Sequence, residues 1–229
     1  MAIDQPTPAD PAASRRDLAV ARSLDPARAR AEKRVKRFLD AGFELLAGPS
    51  GSDFTVQDVV ERSGQSLRSF YQYFDGKYEL LLALFEELVR FTADQLGQQV
   101  AEEAGAVDKL QRFVVEYHRL CRPGTKTRSA RRVPTSALAQ FGQQLMTTHP
   151  REASKAFLPL VSLLDELIEK AVAEGAVRGD VPSRRLAGVV LQATMFNAFA
   201  ATISGVPAAV AEDGAEEFWS IIFDGIASG

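Results

Sequence analysis

The sequence predicts an all-α protein in two parts, a small three-helix domain built around a helix-turn-helix and a larger helical domain after it. Three observations carry the prediction. From Pro26 onward apolar residues recur at helical spacing, with no convincing strand pattern and no internal repeat. Two short helical stretches joined by a glycine-containing turn follow a longer first helix. Beyond Asp75, breaks at Gly105, Pro123-Gly124, Pro150, between Gly175 and Pro182, and between Gly205 and Gly214 cut the chain into further helices.

The first 25 residues, rich in Pro, Ala, Asp and Arg, show no sustained apolar period and read as a flexible arm. From Pro26 the first helix sets Val35, Phe38, Leu39, Gly42 and Leu46 on one face, with Arg30, Lys33, Arg34 and Arg37 on a second stripe. Gly48, Pro49, Ser50 and Gly51 end it. Thr55 then caps a short helix, Asp58 completes a capping box, and Phe54 can staple onto Val59. Val56, Val59 and Val60 give that helix its inner face before Ser63 and Gly64 stop it. Ser66 caps a second short helix running to about Phe74, with Phe70 and Phe74 turned inward. Residues 26–75 thus form the first domain and 76–229 the second. In the second domain, helices are expected near 76–101, 107–122, 134–148, 151–175, 183–204 and 213–227, with a kink or break at Pro159.

Composition bounds the function. The chain has 229 residues, is 46% hydrophobic and carries a formal charge of -3, which excludes wholesale disorder and any global attraction to nucleic acid. An anionic partner must therefore meet a local basic patch. One cysteine, Cys121, excludes an internal disulfide and a cysteine-built zinc site and fits a cytoplasmic location. The N-terminus lacks the apolar core of an export signal. Leu186 to Ala211 carries no charge and is long enough to span a membrane. However, Gln192, Thr194, Asn197 and Thr202 interrupt it and Pro207 ends it, which suits a helix buried against other helices.

Arg68, Tyr71 and Gln72 fall on the face of the second short helix opposite Phe70 and Phe74. A guanidinium and an amide on one exposed helix face suit the major groove, where Arg matches guanine O6 and N7 and Gln matches adenine N6 and N7. Leu67 fits either the core or a thymine methyl, with the second favoured. Tyr71 and Tyr73 flank this face and could donate to phosphates, and Gly76, Lys77 and Thr55 stand at helix N-termini, where backbone N–H groups attract anions. The competing reading makes the rings packing residues and Lys77 a solvated charge.

The run from Phe54 to Leu81, "FTVQDVVERSGQSLRSFYQYFDGKYELL", resembles the DNA-binding signature of the tetracycline-repressor (TetR) family of bacterial transcription regulators. Phe70, Tyr71, Phe74, Lys77, Leu80 and Leu81 occupy its marked places, and Gln65 departs from it, since the family usually has a small apolar residue in the turn. The resemblance implies a homodimer on a palindromic operator of double-stranded DNA. Leu67, Arg68 and Gln72 would touch bases, and Thr55, Tyr71, Tyr73 and Lys77 would touch phosphate. It further implies an effector pocket in the larger domain and a four-helix bundle built by the last two helices of each subunit.

The last two helices suit an interface on their own evidence. Leu191, Met195 and Phe199 lie in the charge-free segment, and Trp219, Ile222, Phe223 and Ile226 share one face of the final helix. The middle helices carry many large apolar side chains, among them Phe91, Phe113, Phe141, Leu145, Leu160 and Leu164, which either fill a core or line a pocket. Tyr117, Gln144, His149 and Asn197 are the polar groups expected to orient a small, mostly apolar effector. His118 and Cys121 are one turn apart, but no third group orients them and no phosphate loop or metal motif accompanies them, so neither catalysis, a metal nor a cofactor is expected. The basic segment Arg122 to Arg132 reads as an exposed loop. A carrier protein that binds small molecules without reading DNA is the alternative.

Overall fold

A computed structural model describes residues 15–49, 51–121, 136–203 and 214–228. They form an all-α fold with the helix-turn-helix first and the larger helical domain after it. Among the described residues the only extended pairing is one isolated bridge, Val177 with Ala227, which ties the C-terminus to the turn after the eighth helix.

The first helix, α1, spans Arg15–Ala47 and so begins well before Pro26, which lies inside it. The segment Leu18 to Ala21 lacks an apolar period but includes the good helix formers Leu18, Ala19 and Ala21, and residues 1–14 of the expected arm lie outside the described residues. The capping box forms at the start of α2 (Val56–Ser63). Asp58 N–H donates to Thr55 Oγ1 at 3.2 Å, and Thr55 N–H donates to Asp58 Oδ2 at 2.6 Å. The Thr55 N–H, and after it the Thr55 hydroxyl, donates to the Asp58 carboxyl and holds it below its usual range. Gly64 ends α2 with φ of 63°, a left-handed conformation that costs glycine nothing. The Gln65 N–H then reaches Val60 O at 3.3 Å, so the turn closes with Gln65 in place.

α3 is a single turn, Leu67–Phe70, capped by Ser66 Oγ accepting from Ser69 N–H. It is shorter than the periodicity suggests because residues 71–73 continue as turns. Phe38, Phe70 and Phe74 pack edge-on or tilted, with centroids 5.4–6.1 Å apart, and make the centre of this small domain.

α4 (Lys77–Ala101) runs from this domain into the larger one. α5 (Ala106–Cys121) is packed by α4, by α8 (Leu158–Ala173), by α9 (Ser183–Ile203) and by α10 (Gly214–Ile226). Its Leu110, Phe113 and Val114 are fully buried in consequence. α6 (Ser136–Thr148) and α7 (Pro150–Ala156) cover the flank of α4, and the expected break near Pro159 falls at Phe157. Gly142 lets α6 come close, because a Cβ there would meet the Phe85 ring at 2.7 Å. No helix among the described residues is long and apolar enough to cross a membrane.

Candidate nucleic-acid interface and effector cavity

The outer face of the helix-turn-helix carries Leu67, Arg68, Tyr71 and Gln72, all exposed. Leu67 is 44% exposed, so it is not a core residue. Arg68 and Gln72 share a shallow cleft with Arg34 of α1, which brings the basic stripe of the first helix to the reading face. Tyr71 stands edge-on against Phe70 at 5.5 Å with its ring largely in solvent, while Tyr73 is half-buried against the core.

Two of the proposed phosphate-binding groups have partners inside the chain. Thr55 Oγ1 donates to Asp58 Oδ2 at 2.8 Å. The Lys77 ammonium donates to Ser52 O and sits 4.7 Å from the centre of the Phe54 ring, a clamp between the start of α4 and the loop before α2. Neither a solvated charge nor a free cation describes it.

The larger domain encloses two adjoining spaces. One, of about 100 Å³, lies between α4, α5, α6, α8 and α9, walled by Phe85, Leu88, Tyr117, Leu138 and Leu160. The other, of about 290 Å³, lies between α6, α7, α8 and α9 and reaches the surface at Pro150, Ser154 and Gln192. Tyr117, Phe157 and Met195 line both. Of the residues proposed for a ligand, Tyr117 and Leu160 reach these walls. Phe113, Leu145 and Leu164 are buried in the surrounding core, and Phe91 is half-buried away from both spaces. Gln144 and His149 are exposed, and Asn197 Oδ1 lies 2.9 Å from His118 Nε2. The cavity lining also takes in Thr92, Cys121, Gln143 and Met195, which helical spacing does not separate from core positions.

Tyr117 and Cys121 bond to each other, and burial, the largest influence on both, pushes the phenol far up and the thiol to about 12. A thiol so protonated is the reverse of an activated nucleophile. His118 faces Asn197 and stacks on Phe218 at 5.5 Å. No cluster of residues fit to hold a metal occurs among the described residues.

One residue after Lys77, Tyr78 links the two regions. Its hydroxyl donates to Glu152 Oε2 at 2.6 Å, and its ring lies 5.2 Å from His149 and 5.7 Å from Phe141. Phe141 in turn packs at 6.1 Å on Phe85, a cavity wall. Nothing in the sequence pattern distinguishes Tyr78 from its neighbours Tyr71 and Tyr73.

The terminal helices turn Val189, Phe196 and Ile221 outward, at 56%, 54% and 71% exposure. Leu191 and Trp219 are buried within the chain's own core, whereas Met195, Ile222 and Phe223 are half-buried. Phe199 lies outside the residues whose side chains are described, as does the basic segment after Cys121.

Residues 38–84 match the family model described as bacterial regulatory proteins, tetR family. An uncharacterized HTH-type transcriptional regulator of Bacillus subtilis (strain 168), YvdT, is 23% identical over 159 residues, covering 69% of this chain and 77% of that protein. Among solved structures, a TetR-family regulator from Cytophaga hutchinsonii superposes with a TM-score of 0.63 at 14% identity, over 87% of this chain and 98% of that one. The regulator FadR from Bacillus subtilis, in complex with stearoyl-CoA, gives 0.61 at 16% identity, over 83% and 98%. The family model covers the helix-turn-helix and the start of α4, and the structural likeness extends the same fold through the larger domain. Residues 38–84 thus resemble the DNA-binding region of the tetR family of bacterial regulatory proteins, and the fold as a whole is similar to that of solved TetR-family regulators.

Proposed function

We propose that the protein is a ligand-responsive repressor that binds a palindromic operator as a homodimer and releases it when a small, mostly apolar effector fills the larger domain. The observation that carries this reading is one chain of contacts. It leads from the start of α4, beside the exposed Arg68 and Gln72 face, through Tyr78 and Phe141 to the cavity wall at Phe85.

Residues 26–75 act as the reading head and 76–229 as the effector and dimer domain. Arg68 reads guanine, Gln72 reads adenine, and Leu67 packs on a thymine methyl. Tyr71, Tyr73, Thr55 and Lys77 hold phosphates, with Lys77 exchanging the Ser52 carbonyl, and Thr55 the Asp58 carboxylate, for a phosphate oxygen. The dimer buries the outward Val189, Phe196 and Ile221 together with Met195, Ile222 and Phe223, and it sets the two heads about 34–36 Å apart. The protein works in the cytoplasm, where the operator is. An effector that binds a differently spaced dimer more tightly draws the population away from DNA.

The test is selection of bound duplexes from a random pool by purified, ligand-free protein at near-physiological salt. The expected product is a palindromic motif. Folded protein that enriches no motif would overturn the repressor reading and leave a small-molecule carrier.

A further inference from the structure

The reading face is short of positive charge for a surface that meets DNA. Of its exposed Leu67, Arg68, Tyr71 and Gln72, Arg68 alone is charged, and the nearby Lys77 is engaged with the Ser52 carbonyl. The charge lies elsewhere in the head. Residues 26–75 hold eight Lys or Arg against seven Asp or Glu, and six of the eight fall between Arg28 and Arg37 of α1. These six are sorted by face. Arg28 pairs with Glu32 at 2.9 Å and Lys36 pairs with Asp40, both at i, i+4 spacing. Arg30, Lys33, Arg34 and Arg37, all exposed, make a separate stripe at i, i+3, i+4 and i+7. The only acid three or four residues from any of the four is Asp40, which Lys36 already holds. Cations stacked at this spacing repel one another and disfavour the helix, and an anion laid along them removes the repulsion. No side chain from Pro26 to Arg37 is buried, so core packing does not offset that repulsion. The stripe is also continuous with the reading face, because Arg34 lines one cleft with Arg68, Gln72 and the turn residues Gly64 and Ser66.

Resting on the operator-binding reading above, we propose that this stripe of α1 is a second DNA contact, which binds the phosphate backbone beside the bases that Arg68 and Gln72 read. Arg30 to Arg37 spans about 10 Å of helix, which matches about three phosphates of one strand at about 3.4 Å of duplex axis each. Arg34, in the shared cleft, holds the phosphate nearest the bases and so fixes the register of Arg68. Arg30, Lys33 and Arg37 continue along the backbone. The stripe supplies attraction and position, whereas the choice of sequence stays with the reading face.

The salt dependence of duplex binding by the full chain separates a phosphate contact from a mere change in net charge. Lys33→Gln combined with Arg37→Gln removes two cations from the stripe, and Arg28→Gln combined with Lys36→Gln removes two from the paired faces of the same stretch of helix. All four side chains are exposed, so both variants should fold as the wild type does, which thermal unfolding checks. The first is expected to flatten the slope of log affinity against log salt by about 3.6, at about 0.9 per contact in each of two subunits, and to weaken operator and unrelated duplexes alike. The second should change the slope by less than about 1. Arg34→Gln alone should weaken every duplex and leave the selected motif unchanged, in contrast to Arg68→Ala. Equal slopes for the two double variants would overturn the second contact and leave the repressor reading standing. A changed motif on Arg34→Gln would overturn its assignment to phosphate. Wild-type protein that binds no duplex would overturn the repressor reading and this inference with it.

Discussion

The reading head and the larger domain are packed on different terms. The head is small and filled: Phe38, Phe70 and Val59 are fully buried, Phe74 and Val60 nearly so, and the three phenylalanine rings pack on one another. The larger domain has far more apolar side chains yet leaves a hollow between α4, α5, α6, α8 and α9, walled by Phe85, Leu138 and Leu160. A dense head keeps its reading face rigid, whereas a hollow body can be filled by something else and shift when it is. Tyr78 stands where the two meet.

Truncations should separate the regions first. Phe70→Ala removes the ring at the centre of the head and is expected to cost about 3–5 kcal/mol, whereas Phe157→Ala, on a half-open cavity wall, should cost about 1–2 kcal/mol. Thermal unfolding of the two variants checks this, and equal losses would mean that the body is as tightly filled as the head.

On the head's outer face, Arg68→Ala should relax base choice at one position in each half-site and cost about 1–3 kcal/mol of operator binding. Lys77→Ala should weaken all duplexes alike and flatten the salt dependence, with a further loss of stability because the clamp onto Ser52 and Phe54 goes with it. Binding titrations on operator and unrelated duplexes at several salt concentrations distinguish the two.

Smaller effects probe the supports. Thr55→Ala removes the cap of α2 and should cost about 1 kcal/mol, read by denaturant unfolding. The same contact holds Asp58 below its ordinary value of 3.8, so its contribution is present above that pH and lost as pH falls through the lowered value. Thr55→Ala should therefore narrow its stability gap to the wild type on acidification.

The smallest effect is expected at high pH. Burial and the Glu152 contact raise Tyr78 from 10.0 to about 12, so the hydroxyl's contribution is complete below pH 10 and lost as pH rises to about 12. Cys121 acts in the same sense between 9.0 and about 12. Tyr78→Phe should remove part of this alkaline slope and weaken the link between cavity and head.

The head was legible in the sequence because its signals are local. A capping residue, a turn glycine and an i, i+4 aromatic pair each act within a few residues, and Thr55, Gly64, Phe70 and Phe74 take the expected places. The start of α1 was not legible, because helix propensity without an apolar stripe looks the same as a solvated arm. In the larger domain the order of the helices and the breaks at Gly105, Pro150 and between Gly175 and Pro182 followed from Gly and Pro, while those at Pro123-Gly124 and between Gly205 and Gly214 lie outside the described residues. Which apolar residues face a hollow depends on how five helices meet, so Phe113 and Leu164 went to the core while Met195 and Thr92 went to the cavity walls. Outward apolar positions were missed for the same reason. Val189 and Ile221 share helices with Leu191 and Trp219, and the packing of α5 and α8 on α9, and of α5 on α10, decides which of them turns inward.

The most direct test of the link between hollow and head is the affinity for a selected operator duplex, measured with the cavity empty and then saturated by a ligand whose occupancy is read independently by calorimetry. The account predicts that saturation weakens operator binding at least about tenfold, equivalent to roughly 1.4 kcal/mol of coupling. A filled cavity with unchanged operator affinity would contradict it.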